Sequence, residues 1–168
     1  MPPRGFASVK VADLMSAPVT VPASATAREV AIFLARAGTA AVPVVSRDGG
    51  LLGIVGETEI HGLLSVGSHG FYPPAEFRTG VPFLGGPLPD AMWHHFSRVG
   101  STPAGELARK VEAVRPHDFL VAAIDAMQRQ ALPALPVVER GEVVGILHAD
   151  ALTFRLVEFA LPEGAPRP

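Results

Sequence analysis

Apolar and polar positions follow two rhythms along this chain, and the switches between them mark its elements. Val42–Val45 and Leu51–Val55 are short, β-branched apolar runs separated by SRDGG, whose Asp48-Gly49 pair suits a tight turn. Together they predict a β-hairpin. Ahead of it Val30, Phe33, Leu34 and Ala37 recur at helical spacing. Thr26 and Glu29 form a T-x-x-E capping box that would open this helix, and Gly38 supplies its stop. The succession then returns. Leu120, Ala123, Ile124 and Met127 share a helical face with Asp118 as the expected N-cap, and Leu135–Val138 and Val143–Leu147 flank Arg140-Gly141. A further helix is expected after each hairpin, over 57–64 and about 149–159, the latter with Leu152, Leu156 and Phe159 in line. Val19–Val21 and Ala113–Arg115 predict one more strand before each first helix. The unit is β-α-β-β-α, present twice, and the fold class is α/β (α+β).

The recurrence is an internal repeat. AAVPVVSRDGGLLGIV, from Ala40 to Val55, reappears as PALPVVERGEVVGIL, from Pro133 to Leu147. Pro43 maps to Pro136, an offset of 93, and Gly53 to Gly145, an offset of 92, because the second turn is one residue shorter. Asp13-Leu14 pairs likewise with Glu106-Leu107, and Val21 with Val114. Of the 17 Gly and 17 Pro, 14 fall within residues 62–105, so a turn-rich connection separates the halves. The expected organisation is a first repeat over 8–65, an insertion over 66–101, a second repeat over 102–160 and a flexible tail over 161–168. Within the insertion Asp90 would cap a short helix presenting Met92, Trp93 and Phe96. Phe71, Tyr72, Phe77 and Phe83 add aromatic area, so an ordered insertion is expected. Halves this small bury too little surface alone and should pack together.

Composition narrows the function classes. Of 168 residues, 48% are apolar and 18% charged, which excludes a disordered tail protein. The net charge of −2 and the lack of a basic cluster argue against nucleic acid as a partner. There is no cysteine, hence no disulfide framework, zinc ribbon or thiol nucleophile. No apolar run approaches the ~20 residues of a membrane helix, so a cytoplasmic protein without membrane association is expected.

The hPVV–turn–GIV pattern, present twice with matching intervals, resembles a tandem pair of cystathionine-β-synthase-type (CBS) domains, also called a Bateman module. The resemblance implies two repeats packed about a pseudo-twofold axis. It also implies two clefts that take an adenosyl compound, AMP, ADP, ATP or S-adenosylmethionine, as a regulatory ligand rather than a required cofactor. Such pairs dimerise through their helices, and a partner protein reads the conformational change. Mapped by the resemblance, the adenine slot comprises Val19, Thr20, Ala40, Ala41, Val42 and Pro43 in the first repeat. In the second it comprises Leu132, Ala134, Leu135 and Pro136, with Arg115 near a phosphate. The family's G-h-h-T/S-x-x-D element is imperfect here. After Gly53 its places hold Gly56 and Glu59; after Gly145 they hold His148 and Ala151, with Asp150 one position early. Glu59 keeps a carboxylate for ribose, His148 would meet a phosphate when charged, and Asp150 reads as a helix cap. One working site is expected, in the first cleft or shared between the two.

The remaining chemistry is sparse. His94 and His95 are adjacent and point to different sides of a helix, while His61, His69, His117 and His148 are scattered, so no metal site is expected. SVGSHG and LGG lack the GK[ST] ending of a phosphate loop, and no nucleophile elbow or other catalytic constellation occurs. The expectation is a non-enzymatic, homodimeric ligand sensor acting on an unknown regulated protein; the alternative is a dimeric adaptor with no ligand. The apolar faces expected to drive dimerisation carry Ile32, Phe33, Leu64, Leu156 and Phe159.

Overall fold

The computed structural model describes residues 8–64 and 90–160. In the first repeat, β1 (Val21–Pro22), β2 (Ala41–Val45) and β3 (Leu51–Gly56) form one sheet, with α1 (Ala27–Ala37) before β2 and α2 (Glu57–Leu64) after β3. β1 runs parallel to β2, pairing Val21 with Val44, and β2 runs antiparallel to β3. Two helices follow, α3 (Asp90–Gly100) and the single turn α4 (Ala104–Leu107). In the second repeat α5 (Leu120–Gln130) precedes the antiparallel pair β4 (Ala134–Glu139) and β5 (Glu142–His148), and α6 (Ala149–Ala160) ends the described chain. Val114 pairs in parallel with Val137, the counterpart of Val21 with Val44 at the same offset of 93.

Local chemistry explains the element ends. The Thr26–Glu29 capping box is formed: Glu29 N–H donates to Thr26 Oγ1 at 3.3 Å, and Thr26 N–H donates to Glu29 Oε2 at 2.8 Å. Gly38 closes α1 at φ 62°, a left-handed conformation that suits glycine. The second helix departs from expectation at its start. Phe119, not Asp118, occupies its N-cap position and offers no side-chain cap, while Asp118 instead accepts the Arg115 N–H at 2.8 Å. Ala131 takes the left-handed position, at φ 51°. The Arg140-Gly141 turn has φ of 52° and 87°, the pair of positive values a type I′ hairpin requires. α3 begins at Asp90 itself; the side chains of Met92, Trp93 and Phe96 lie outside the described residues, as do Phe71, Tyr72, Phe77 and Phe83.

The repeats are joined by exchange of their leading segments. Residues 9–16 cross to the second repeat, where Leu120 N–H donates to Val9 O at 2.9 Å and Ser16 pairs with Ile146. Residues 102–109 cross to the first, where Ala27 N–H donates to Thr102 O at 2.8 Å and Arg109 pairs with Ile54. The side chains follow the backbone. Val9 and Val11 are buried with Leu120, Ala123, Leu135 and Leu147, whereas Ala104 is buried with Val21, Val30, Leu34 and Val44. Lys10 lies 3.2 Å from the Phe119 ring centroid across the same boundary, a cation–π contact. A third cluster, Ala27, Leu63 and Val99, seats α3 on the first repeat.

Candidate functional site

Each exchanged segment meets the far end of the other repeat's hairpin, and two clefts form where they meet. The larger, about 440 Å³, is lined by Ala40, Ala41, Ile54, Gly56, Glu57, Thr58 and Glu59 of the first repeat and Arg109, Ala131, Leu132 and Pro133 of the second. The smaller, about 130 Å³, is lined by Ser16, Ala17, Val19, Phe33, Ala37, Thr39, Ala41 and Val42 together with Ile146 and His148. The offsets of the repeat relate them: Arg109 to Ser16 (93), Leu132 to Thr39 (93), Ile54 to Ile146 (92) and Gly56 to His148 (92). They are pseudo-equivalent in place and different in chemistry. Only the larger reaches the several hundred Å³ usual for small-molecule sites.

Glycines allow the walls to approach. A Cβ on Gly53 would collide with the Arg109 carbonyl oxygen, one on Gly56 would sit 2.7 Å from Ala40 O, and one on Gly145 2.8 Å from Met15 Sδ. The glycine of the GIV pattern is therefore required by the strand that the other repeat inserts beside it.

Glu59 anchors the larger cleft. Its Oε2 accepts the Gly56 N–H at 2.9 Å, which fixes the carboxylate at the start of α2, and its Oε1 faces Arg109 Nε at 3.4 Å. Arg109 also donates through Nη1 to Gln130 O at 3.3 Å and through Nη2 to Ala131 O at 3.4 Å, at the carbonyl end of α5. The Glu59 side chain is 14% exposed and that of Arg109 41%, so the carboxylate lies inside and the guanidinium at the mouth. Sequence reasoning missed Arg109. Its only signal was an arginine aligned with Ser16 of the other repeat.

The sequence-derived site residues are redistributed. Ala40, Ala41, Gly56, Glu59 and Leu132 line the larger cleft; Val19, Val42 and His148, with Ala41 again, line the smaller. Pro43, Ala134, Leu135 and Pro136 are buried in strand cores and line neither cleft. Thr20 is exposed and lines neither. Two more lie apart from the clefts. Arg115 follows the Val114–Val137 pairing to the β4–β5 turn, beside His117, Glu139 and Arg140, so it is outside both clefts. Asp150 lies in the first turn of α6, where its Oδ1 accepts the Ala151 N–H at 2.7 Å, and it lines neither cleft.

The CBS domain family model matches residues 11–65 and 104–158. No curated protein matches the chain. Among solved structures, the CBS domain of a CBS-domain-containing membrane protein from Sphaerobacter thermophilus is 25% identical, with a TM-score of 0.64, covering 89% of this chain and 88% of that one. A CBS domain protein from Pyrobaculum aerophilum complexed with AMP is 24% identical, with a TM-score of 0.63 and coverage of 90% and 98%. The CBS domain pair of protein MJ0100, in complex with 5′-methylthioadenosine and S-adenosyl-L-methionine, is 18% identical, with a TM-score of 0.63 and coverage of 91% and 98%. With two matched segments spanning more than half of its length, in two packed repeats of the expected α+β unit, this chain belongs to the CBS domain family.

Proposed function

We propose that this protein is a non-catalytic regulatory module that binds an adenosyl ligand in the Glu59–Arg109 cleft. The observation that carries this reading is the position of Glu59. Its carboxylate, held by the Gly56 N–H, faces a cleft of about 440 Å³ whose other wall belongs to the second repeat. A ribose offers two hydroxyl donors to such an acceptor, and Ala40, Ala41 and Leu132 supply small or apolar surface for a ring. The AMP, methylthioadenosine and S-adenosylmethionine complexes of the family members support the ligand class. A ligand touching both walls favours one arrangement of the repeats over others, and a partner protein that senses the arrangement reads out occupancy. The reading places the module in the cytoplasm as a homodimer.

Exposed apolar side chains favour a second reading. Ile32 on α1 and Phe154 and Val157 on α6 are 46%, 65% and 47% exposed, as expected of an adaptor that works through its surfaces. Calorimetric titration of AMP, ADP, ATP and S-adenosylmethionine into the full chain, with melting curves alongside, separates the two. A saturable ligand that raises Tm supports the sensor; no response to any of them supports the adaptor.

A further inference from the structure

The charges around the larger cleft discriminate among adenosyl compounds, on the premise that the cleft is the ligand site as proposed above. Among the described residues its ionisable lining groups are Glu57, Glu59 and Arg109, a net charge of −1. The single cation is already shared, with Glu59 Oε1 on Nε and the Gln130 and Ala131 carbonyls on Nη1 and Nη2. Three of its five N–H groups are engaged in these contacts, and the charge it would offer a phosphate is already balanced by Glu59. The positive end of the α2 dipole is likewise occupied, because Glu57 and Glu59 both sit in its first turn and Glu59 takes the Gly56 N–H. A phosphorylated ligand would add two or more negative charges to a wall that is already negative. An uncharged or cationic 5′ group meets no such opposition.

We infer that the Glu59–Arg109 cleft selects adenosyl compounds with an uncharged or cationic 5′ substituent, the thioether and sulfonium class, over adenosine phosphates. The test is calorimetry on the full chain with adenosine, 5′-methylthioadenosine, S-adenosylmethionine, AMP and ATP at one pH. Methylthioadenosine and S-adenosylmethionine should bind at least about tenfold more tightly than AMP, with ATP weakest. Raising the ionic strength from about 0.05 to about 0.5 M should narrow that gap by screening. Glu57→Gln, at an exposed lip position, should narrow it about threefold at low salt by removing one like charge. AMP or ATP binding as tightly as methylthioadenosine would overturn this selectivity and leave the adenosyl-sensor reading standing. A gap that neither salt nor Glu57→Gln alters would show that charge is not its cause. Failure of all five compounds, adenosine included, would overturn both.

Discussion

Arg109 and Ile54 belong to different repeats and exchange both of their backbone hydrogen bonds, each N–H donating to the other's carbonyl at 2.9 Å. Ser16 and Ile146 do the same at 2.8 and 3.2 Å. These reciprocal pairings fix the register of the two halves and place the Arg109 side chain opposite Glu59.

The closeness of the first pairing makes Gly53 a sensitive position. Gly53→Ala should destabilise the fold by about 3 kcal/mol, because its Cβ meets backbone that can retreat only by breaking the Ile54–Arg109 pair. Gly145→Ala should cost less, about 1–2 kcal/mol, since its nearest obstacle is the end of the Met15 side chain, with the Ser16 carbonyl oxygen farther off at 3.0 Å. Urea unfolding of both variants checks the order; equal losses would mean the two crossings are not held alike.

Glu59 and Asp150 should separate cleanly. Glu59→Ala removes a charge-assisted acceptor worth about 1.5–3 kcal/mol and should weaken adenosyl binding roughly tenfold to a hundredfold. Asp150→Ala, outside both clefts, should leave affinity unchanged and cost at most about 1 kcal/mol of stability. Titration of methylthioadenosine into both variants decides; loss of binding in Asp150→Ala alone would invert the assignment.

Acid should act on the first helix through its capping box. The Thr26 backbone N–H, and then its hydroxyl, hold the Glu29 carboxyl below its ordinary value of 4.5. A depressed folded value means the contribution is present above about pH 4.5 and is lost as pH falls through the lower, folded value. The Tm difference between wild type and Glu29→Ala should therefore shrink below pH 4.5. A difference that stays constant to pH 3 would show that the ionised carboxylate contributes nothing.

The exposed Phe154 and Val157 lie three residues apart on α6, and we expect them to pack in a two-fold dimer. Sedimentation at micromolar concentration should show twice the 17.6 kDa chain mass. Phe154→Glu should return it to a monomer with an unchanged circular dichroism spectrum. The side chains of Leu64, Leu156 and Phe159, expected on the same faces, lie outside the described residues.

The elements were legible wherever side chains carry the signal. Thr26, Glu29 and Gly38 write the limits of α1, and the β-branched runs around Asp48-Gly49 and Arg140-Gly141 write both hairpins. The start of α5 was misread because Phe119 stands where Thr26 does in the first repeat, which made the neighbouring Asp118 the only visible cap. The composition of the clefts was not legible. The segments that build them pair through backbone groups, which leave no mark in sequence, so residues grouped by repeat were divided between two clefts. Glu59 and Arg109 meet across 50 positions with no motif to link them.

Crossing of the leading segments makes each repeat depend on the other. A solitary repeat would keep an unpaired hairpin edge beside its glycine and a leading strand with nothing to lie against. Two identical copies could satisfy both needs by trading those strands, as in a domain-swapped pair. Within one polypeptide the same exchange does not depend on concentration. Covalent linkage also lets the two halves differ, as the contrast shows between an acidic cleft beside Glu59 and a smaller one where Ala151 stands at the matching position.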